Sequence, residues 1–163
     1  MKSPDVADFN NDGFVDVFTE DMSAADHYRN KANMASMNTA RFDLITKHFN
    51  HQYMFNALQV NDGNGSFSEI AQLAGVANTD WSWSSLFIDA DNDGNKDLFI
   101  TNGIKRDIRF VDGMNKIRDL MPSSKIKLSD ILNNAPSQKL SNYAFHNVKD
   151  FHFKNEANST LAL

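Results

Sequence analysis

The 163-residue chain contains no cysteine. That absence rules out a disulfide framework and any thiolate metal site. Cross-links in such a fold come from elsewhere, and bound ions are one source. Long apolar runs are also missing: no stretch approaches the ~20 continuous apolar residues of a membrane-spanning helix. After Met1-Lys2 the chain runs directly into Ser3, Pro4 and Asp5, without the apolar segment of a signal peptide. No basic patch stands out and the net charge is −5, which argues against nucleic acid as the main partner. What is present is a 41% hydrophobic content with 13 Phe, enough for a real core and against wholesale disorder.

The acidity is concentrated near residues 5–21 and 89–97, and these regions repeat. Residues 8–16 read D-F-N-N-D-G-F-V-D and residues 89–97 read D-A-D-N-D-G-N-K-D. Both fit D-x-[DN]-x-D-G-x-x-D. V-F-T follows the first and L-F-I-T the second, at an offset of 81 residues. A fainter echo pairs Asn61 and Phe67 with Asn147 and Phe153, at an offset of 86.

Trp81 to Asp89 alternates with period 2, which predicts a strand carrying Trp81, Trp83, Ser85 and Phe87 on one face. Leu98–Thr101 predicts a second strand, so the acidic loop joins two strands; Val15–Thr19 follows the first loop in the same way. Residues 53–60 and 66–71 predict a hairpin around Asp62-Gly63-Asn64-Gly65, and 143–147 with 151–154 a weaker one. Helical signals interrupt the strands. Ser23 with Asp26 suggests a capping box opening a helix to about Met34. Phe42, Leu44, Ile45, His48 and Phe49 form one helical stripe, and Met114, Ile117, Leu120 and Met121 form another that Pro122 stops. Ser129 suggests the cap of a short helix ended by Pro136.

Calcium is a hard cation that takes six to eight oxygens, and a loop supplies them from alternating positions around a glycine turn. The first loop offers Asp8, Asn10, Asp12, the carbonyl of Phe14, and Asp16. The second offers Asp89, Asp91, Asp93, the carbonyl of Asn95, and Asp97. Gly13 and Gly94 take the turn position. Neither loop contains His or Cys, which disfavours zinc and copper. Asp-Asn-Gly segments are also good plain turns, but two loops matching at five ligand positions favour two calcium sites. Four carboxylates within nine residues repel one another without a cation, and two calcium ions bring the net charge to about −1. An EF-hand is excluded: position 12 holds Thr19 or Ile100 instead of Glu, and strands, not helices, follow.

The strand, the D-x-D-x-D-G-x-x-D loop and L-F-I-T-N together resemble the FG-GAP/VCBS repeat, the blade repeat of integrin α-subunit heads and many bacterial surface proteins. N-D-G-N-G-S-F-S-E-I-A-Q-L-A-G-V, followed by W-S-W-S-S-L-F-I-D-A-D-N-D-G-N-K-D-L-F-I-T-N-G, is similar to VCBS-repeat proteins of Bacteroidetes-type bacteria. N-Y-A-F-H-N with F-H-F-K-N looks like the start of the next outer hairpin. The resemblance covers most of residues 5–155. It implies a mainly β fold of about two incomplete β-propeller blades with helical insertions. One blade part spans 1–76 with an insert at 20–52; the other spans 77–163 with an insert at 103–141. The first blade lacks room for its inner strand before Asp8. It further implies calcium ligands at the ten positions above, with Asn10 departing from the usual Asp. A closed propeller needs about four to eight blades, so the expectation is a piece of a larger propeller, prone to self-association through strand edges. The implied setting is extracellular, cell-surface or periplasmic. The implied role is a calcium-stabilised interaction or scaffold module for a protein or glycan partner.

Other features carry less. His48 and His51 form an H-x-x-H pair without a third ligand; His27, His146 and His152 have no evident partner. Trp81 and Trp83 suit packing between blades better than sugar stacking. Lys105, Arg106, Asp107 and Arg109 suit a solvated face, and Asn158-Ser159-Thr160 is a weak glycosylation match. No G-x-S-x-G, phosphate loop, H-E-x-x-H or cysteine nucleophile is present. The reading is therefore not an enzyme; part of a propeller hydrolase, with its active site in other blades, is the alternative.

Overall fold

A computed structural model of the chain describes residues 4–34, 53–104 and 137–157, together with positions 47, 106, 115, 119, 127, 129 and 135. The chain forms two compact units. The first takes in Met1–Ser23, Met54–Gly103 and Leu140–Leu163, and the second Ala24–Tyr53 and Ile104–Lys139.

The first unit holds two antiparallel sheets. One has the order β1 (Asp5–Ala7), β2 (Asp16–Thr19), β4 (Ala57–Asn61), β5 (Phe67–Glu69). The other contains β6 (Asp80–Ile88), β7 (Asp97–Asn102), β8 (Tyr143–Asn147) and β9 (Phe153–Asn155) in that order, with the two-residue β3 (Met22–Ser23) against β6. Each sheet thus repeats one plan: two strands joined by an acidic loop, then a hairpin. Four antiparallel strands in sequence order are the plan of a propeller blade. The first blade does have an inner strand, contrary to expectation. Asp5–Ala7 pairs with β2 through Asp5–Phe18, Val6–Val17 and Ala7–Asp16. Three residues are too few to show the period-2 pattern by which strands are read.

The core between the sheets is built from Phe9, Phe18, Leu58, Val60, Val76, Phe87, Leu98, Ile100, Phe145 and Phe153. Asn56, fully buried, ties the start of β4 to its surroundings. Its Oδ1 accepts from Asp21 N at 2.8 Å, and its Nδ2 donates to the Val76 carbonyl at 2.8 Å and to Thr79 Oγ1 at 2.5 Å. A buried amide with its partners in place adds specificity at little net cost.

Both expected hairpins form. Asp62 N donates to the Ser66 carbonyl at 3.1 Å across the glycine-rich turn. The β8–β9 turn has no glycine and instead places Lys149, Asp150 and Phe151 at φ 70°, 50° and 63°. Non-glycine residues rarely adopt this region, which explains the weak turn signal there.

Trp83 does not share a face with Ser85 and Phe87. The register between β6 and β7 shifts between Ser82 and Ser84. This bulge inverts the phase of the alternation. Ser82, Ser85 and Phe87 are buried, while Trp83 is 53% exposed and donates from Nε1 to the Gly103 carbonyl at 2.5 Å. Trp83 thus lies with the exposed Leu86 and Ile88.

In the second unit, α1 (His27–Met34) begins three residues later than a Ser23 cap requires. Asp26 is the cap: its Oδ1 accepts from Arg29 N at 2.9 Å, and its carbonyl takes the first helical bond from Asn30 N at 2.8 Å. Ser23 lies in β3 and donates to Asn78 Oδ1. Lys47, Asn115, Asp119 and Ser129 are helical, Ile104 bridges to Gln138, and Arg106 Nη1 donates to the Ala135 carbonyl at 3.2 Å. The stripes at 42–49 and 114–121 lie outside the described residues, apart from Lys47, Asn115 and Asp119. The His48–His51 pair, Pro136, Lys105, Asp107, Arg109 and the 158–160 sequon lie outside them too.

Candidate metal centre

The two acidic loops are near copies of each other. Asn11 and Asn92 occupy the fourth position at φ 60° and 61°, and Gly13 and Gly94 the sixth at φ 90° and 86°. Glycine is needed at the sixth position because a side chain is strained at that φ. In the first loop Asp8 accepts from Asp12 N at 3.0 Å and Gly13 N at 2.8 Å. In the second, Asp89 accepts from Asp93 N and Gly94 N, both at 3.0 Å. The fifth-position carboxylates, Asp12 and Asp93, each accept from the backbone N–H two residues on, Phe14 and Asn95, at 2.8 Å. Asn10 Oδ1 and Asp91 Oδ1 take the third-position bond from the same N–H groups as their counterparts, Asp12 N at 3.2 Å and Asp93 N at 3.1 Å. These local bonds wind the carboxylates of each loop back onto its own backbone N–H groups.

The ninth-position carboxylates anchor the loops to the sheets. Asp16 is fully buried; its Oδ2 accepts from Phe9 N at 3.2 Å and its Oδ1 from Asn61 N at 2.9 Å. Asp97 repeats this with Ala90 N at 3.2 Å and Asn147 N at 2.9 Å. The distant echo of Asn61 and Asn147 thus has a structural cause. Each lies at a strand end, steadies the ninth carboxylate through its backbone, and turns its amide to the carbonyl before that carboxylate: Val15 at 3.3 Å, Lys96 at 3.0 Å. Asn147 also donates to the Phe9 carbonyl at 2.9 Å, and Asn11 Nδ2 reaches the Gly94 carbonyl at 3.2 Å, so the first loop leans on the second.

More than half of the chain, residues 8–100, matches the model of the FG-GAP-like repeat. The chain belongs to the FG-GAP-like repeat family. Neither a curated protein nor a solved structure matches it. The FG-GAP match begins at the first residue of one acidic loop and ends just past the other, so it spans both.

The donor chemistry fits a hard cation. One oxygen each from Asp89, Asp91 and Asp93 lie within 4.8 Å of one another, close enough to share an ion that binds oxygens at about 2.3–2.6 Å. Burial, the largest influence, raises the Asp16 pKa; the Asn61 and Phe9 N–H groups oppose it, and the charges of Asp12 and Asp8 add to it. A carboxylate raised in the folded state favours folding below its unfolded value, and that contribution is lost as pH rises through the raised one. A cation in the loop reverses this by favouring the ionised form. The Asn95 N–H, foremost, with its side-chain amide holds Asp93 below the usual carboxylate range.

Asn10 is the main chemical difference between the two loops. Its Nδ2 donates to Asp12 Oδ2 at 2.8 Å. Asn10→Asp removes that bond and adds a charge. It is expected to lower the melting temperature in chelator and to tighten calcium at the first loop by about tenfold, since ligand charge count tunes affinity. A thermal melt in chelator and a calcium titration of the variant check the two signs.

Sequence reasoning missed His146. It comes from β8, 49 residues beyond Asp97, and its Nδ1 lies 3.1 Å from Asp97 Oδ1 and 3.6 Å from Asp91 Oδ2. No spacing rule within the loop points to it; only the pairing of β7 with β8 brings it there.

Proposed function

We propose that the chain is a calcium-stabilised propeller module that serves as a surface scaffold or interaction domain, not an enzyme. Asp8, Asn10, Asp12, the Phe14 carbonyl and Asp16 hold one ion. Asp89, Asp91, Asp93, the Asn95 carbonyl and Asp97 hold the second. The observation that carries this reading is the duplicate geometry of the two loops, down to matching backbone angles and ninth-position anchors. Calcium supplies charge neutralisation at the loop centre. The protein's own residues do the rest: the ninth Asp couples the loop to the sheet, and Phe9, between two ligands, enters the core.

The module's partner, in the setting the family implies, is a protein or glycan outside the cytoplasm. Leu86 and Phe99 pair across β6 and β7 and are both exposed, which favours contact with a further blade or a second copy. Among the described residues no helix is long and apolar enough to cross a membrane.

The test is a thermal melt in excess calcium and in chelator, at neutral and at mildly acidic pH. The expected result is a calcium-dependent rise in melting temperature that shrinks as pH falls, because protons compete with calcium for the loop carboxylates. A ligand at 100 times its Kd stabilises by about 2.7 kcal/mol, which moves a domain of this size by several degrees. Identical melts with and without calcium at neutral pH would refute the reading.

A further inference from the structure

The geometry points to a second metal chemistry at the second loop: Asp91, Asp97 and His146 form a site for a borderline divalent cation of the zinc class. This inference rests on the metal-centre reading of that loop and extends its specificity. One ligand atom from each of the three residues lies within 4.8 Å of the others. The imidazole Nδ1 stands 3.1 Å from Asp97 Oδ1 and 3.6 Å from Asp91 Oδ2. A tetrahedral ion with bonds of about 2.0–2.2 Å sets its ligands about 3.4 Å apart, and these two distances bracket that edge. Coordination needs the imidazole neutral, with its proton on Nε2 and the Nδ1 lone pair free for the ion. His146 is only part-buried, so solvent can supply the fourth ligand.

The first loop lacks this option. Asn61 and Asn147 occupy the same place relative to their ninth-position carboxylates, so the residue before each is equivalent. That residue is Val60 in the first blade and His146 in the second. Val60 is buried in the core and offers no donor atom. Two loops alike in their oxygen ligands therefore differ in the one nitrogen that softens a site. Because Asp91 and Asp97 belong to both ligand sets, calcium and the zinc-class ion exclude each other at the second loop, while the first loop keeps calcium.

The experiment uses the full chain stripped of metal. Zinc and calcium are titrated separately and in competition by calorimetry, in the unaltered chain and in His146→Val and His146→Gln. The expected result is one zinc ion per chain, displacement of calcium from one site only, and about a hundredfold weaker zinc binding in both variants. Calcium affinity of the first loop should stay within about twofold. In parallel, nitrogen NMR of the imidazoles in the unaltered chain should show one ring shifting at Nδ1 on zinc addition, assigned by its absence in His146→Gln. This arm holds even where His146→Val folds poorly. Unchanged zinc affinity in the folded variants, or no Nδ1 shift, overturns the proposal. Failure of calcium to bind either loop, with His146-dependent zinc binding intact, would overturn the calcium reading and leave this one standing.

Discussion

Asp16→Ala is expected to be among the most damaging single substitutions in the first blade, costing about 2–4 kcal/mol in chelator and more in calcium. Two backbone N–H groups, from Phe9 and Asn61, lose their acceptor. An orphaned buried donor costs about 1–3 kcal/mol, and relief of a buried carboxylate whose pKa is raised offsets part of the sum. In calcium the lost ion adds about 2.7 kcal/mol at 100 times its Kd. Asp16→Asn separates the two contributions. The amide keeps one acceptor oxygen and turns an NH2 donor to the other N–H, so in chelator it should fall between Asp16→Ala and the unaltered chain, and it should fail to gain from calcium at the first loop. Denaturant unfolding of both variants, with and without calcium, reads the four values. A cost for Asp16→Ala below about 1 kcal/mol in both conditions would show that the ninth carboxylate does not anchor the loop.

Phe9→Ala should cost about 3–5 kcal/mol, the usual range for a buried aromatic truncated to a methyl. Phe9 is 1% exposed although it sits inside the acidic loop, between Asp8 and Asn10. Its ring stacks on Phe87 at 6.1 Å between centroids and meets Phe153 at 5.6 Å and Phe151 at 6.3 Å. It therefore couples loop and core: its backbone N–H holds Asp16, and its carbonyl accepts from Asn147. The variant should lose calcium affinity at the first loop as well as stability. Phe9→Leu, which keeps most of the volume, should recover most of both. The matching second-loop residue, Ala90, is exposed, so Ala90→Gly should cost little beyond the backbone effect of glycine. Equal losses for Phe9→Ala and Ala90→Gly in equilibrium unfolding would contradict this division.

How much of this was legible in the sequence follows from the range of each interaction. The acidic loops are local devices: nine residues fix their own turn through Asx-type bonds and a glycine, so D-x-[DN]-x-D-G-x-x-D is enough to find them. The hairpin at Asp62–Gly65 is local in the same way. Asn61 and Asn147 were visible as an echo, but their purpose was not, because it depends on the pairing of β4 with β2 and of β8 with β7. His146 was invisible for that reason. Trp83 moves to the side of Leu86 and Ile88 because a single bulge inverts every side chain on one side of it, and no residue type announces the bulge. The helix cap moved from Ser23 to Asp26 because β3 claims Ser23 for pairing with Asp80. Tertiary pairing overrides a local capping signal in such a case.

The most direct measurement is the number of calcium ions bound per chain, by elemental analysis and calorimetry on protein stripped and then saturated with calcium, beside Asp16→Asn and Asp97→Asn. Two ions in the unaltered chain, one in each single variant and none in the double variant is the predicted result. No bound calcium in the unaltered chain, or two ions retained in the double variant, would contradict the assignment of the two loops as the metal centres.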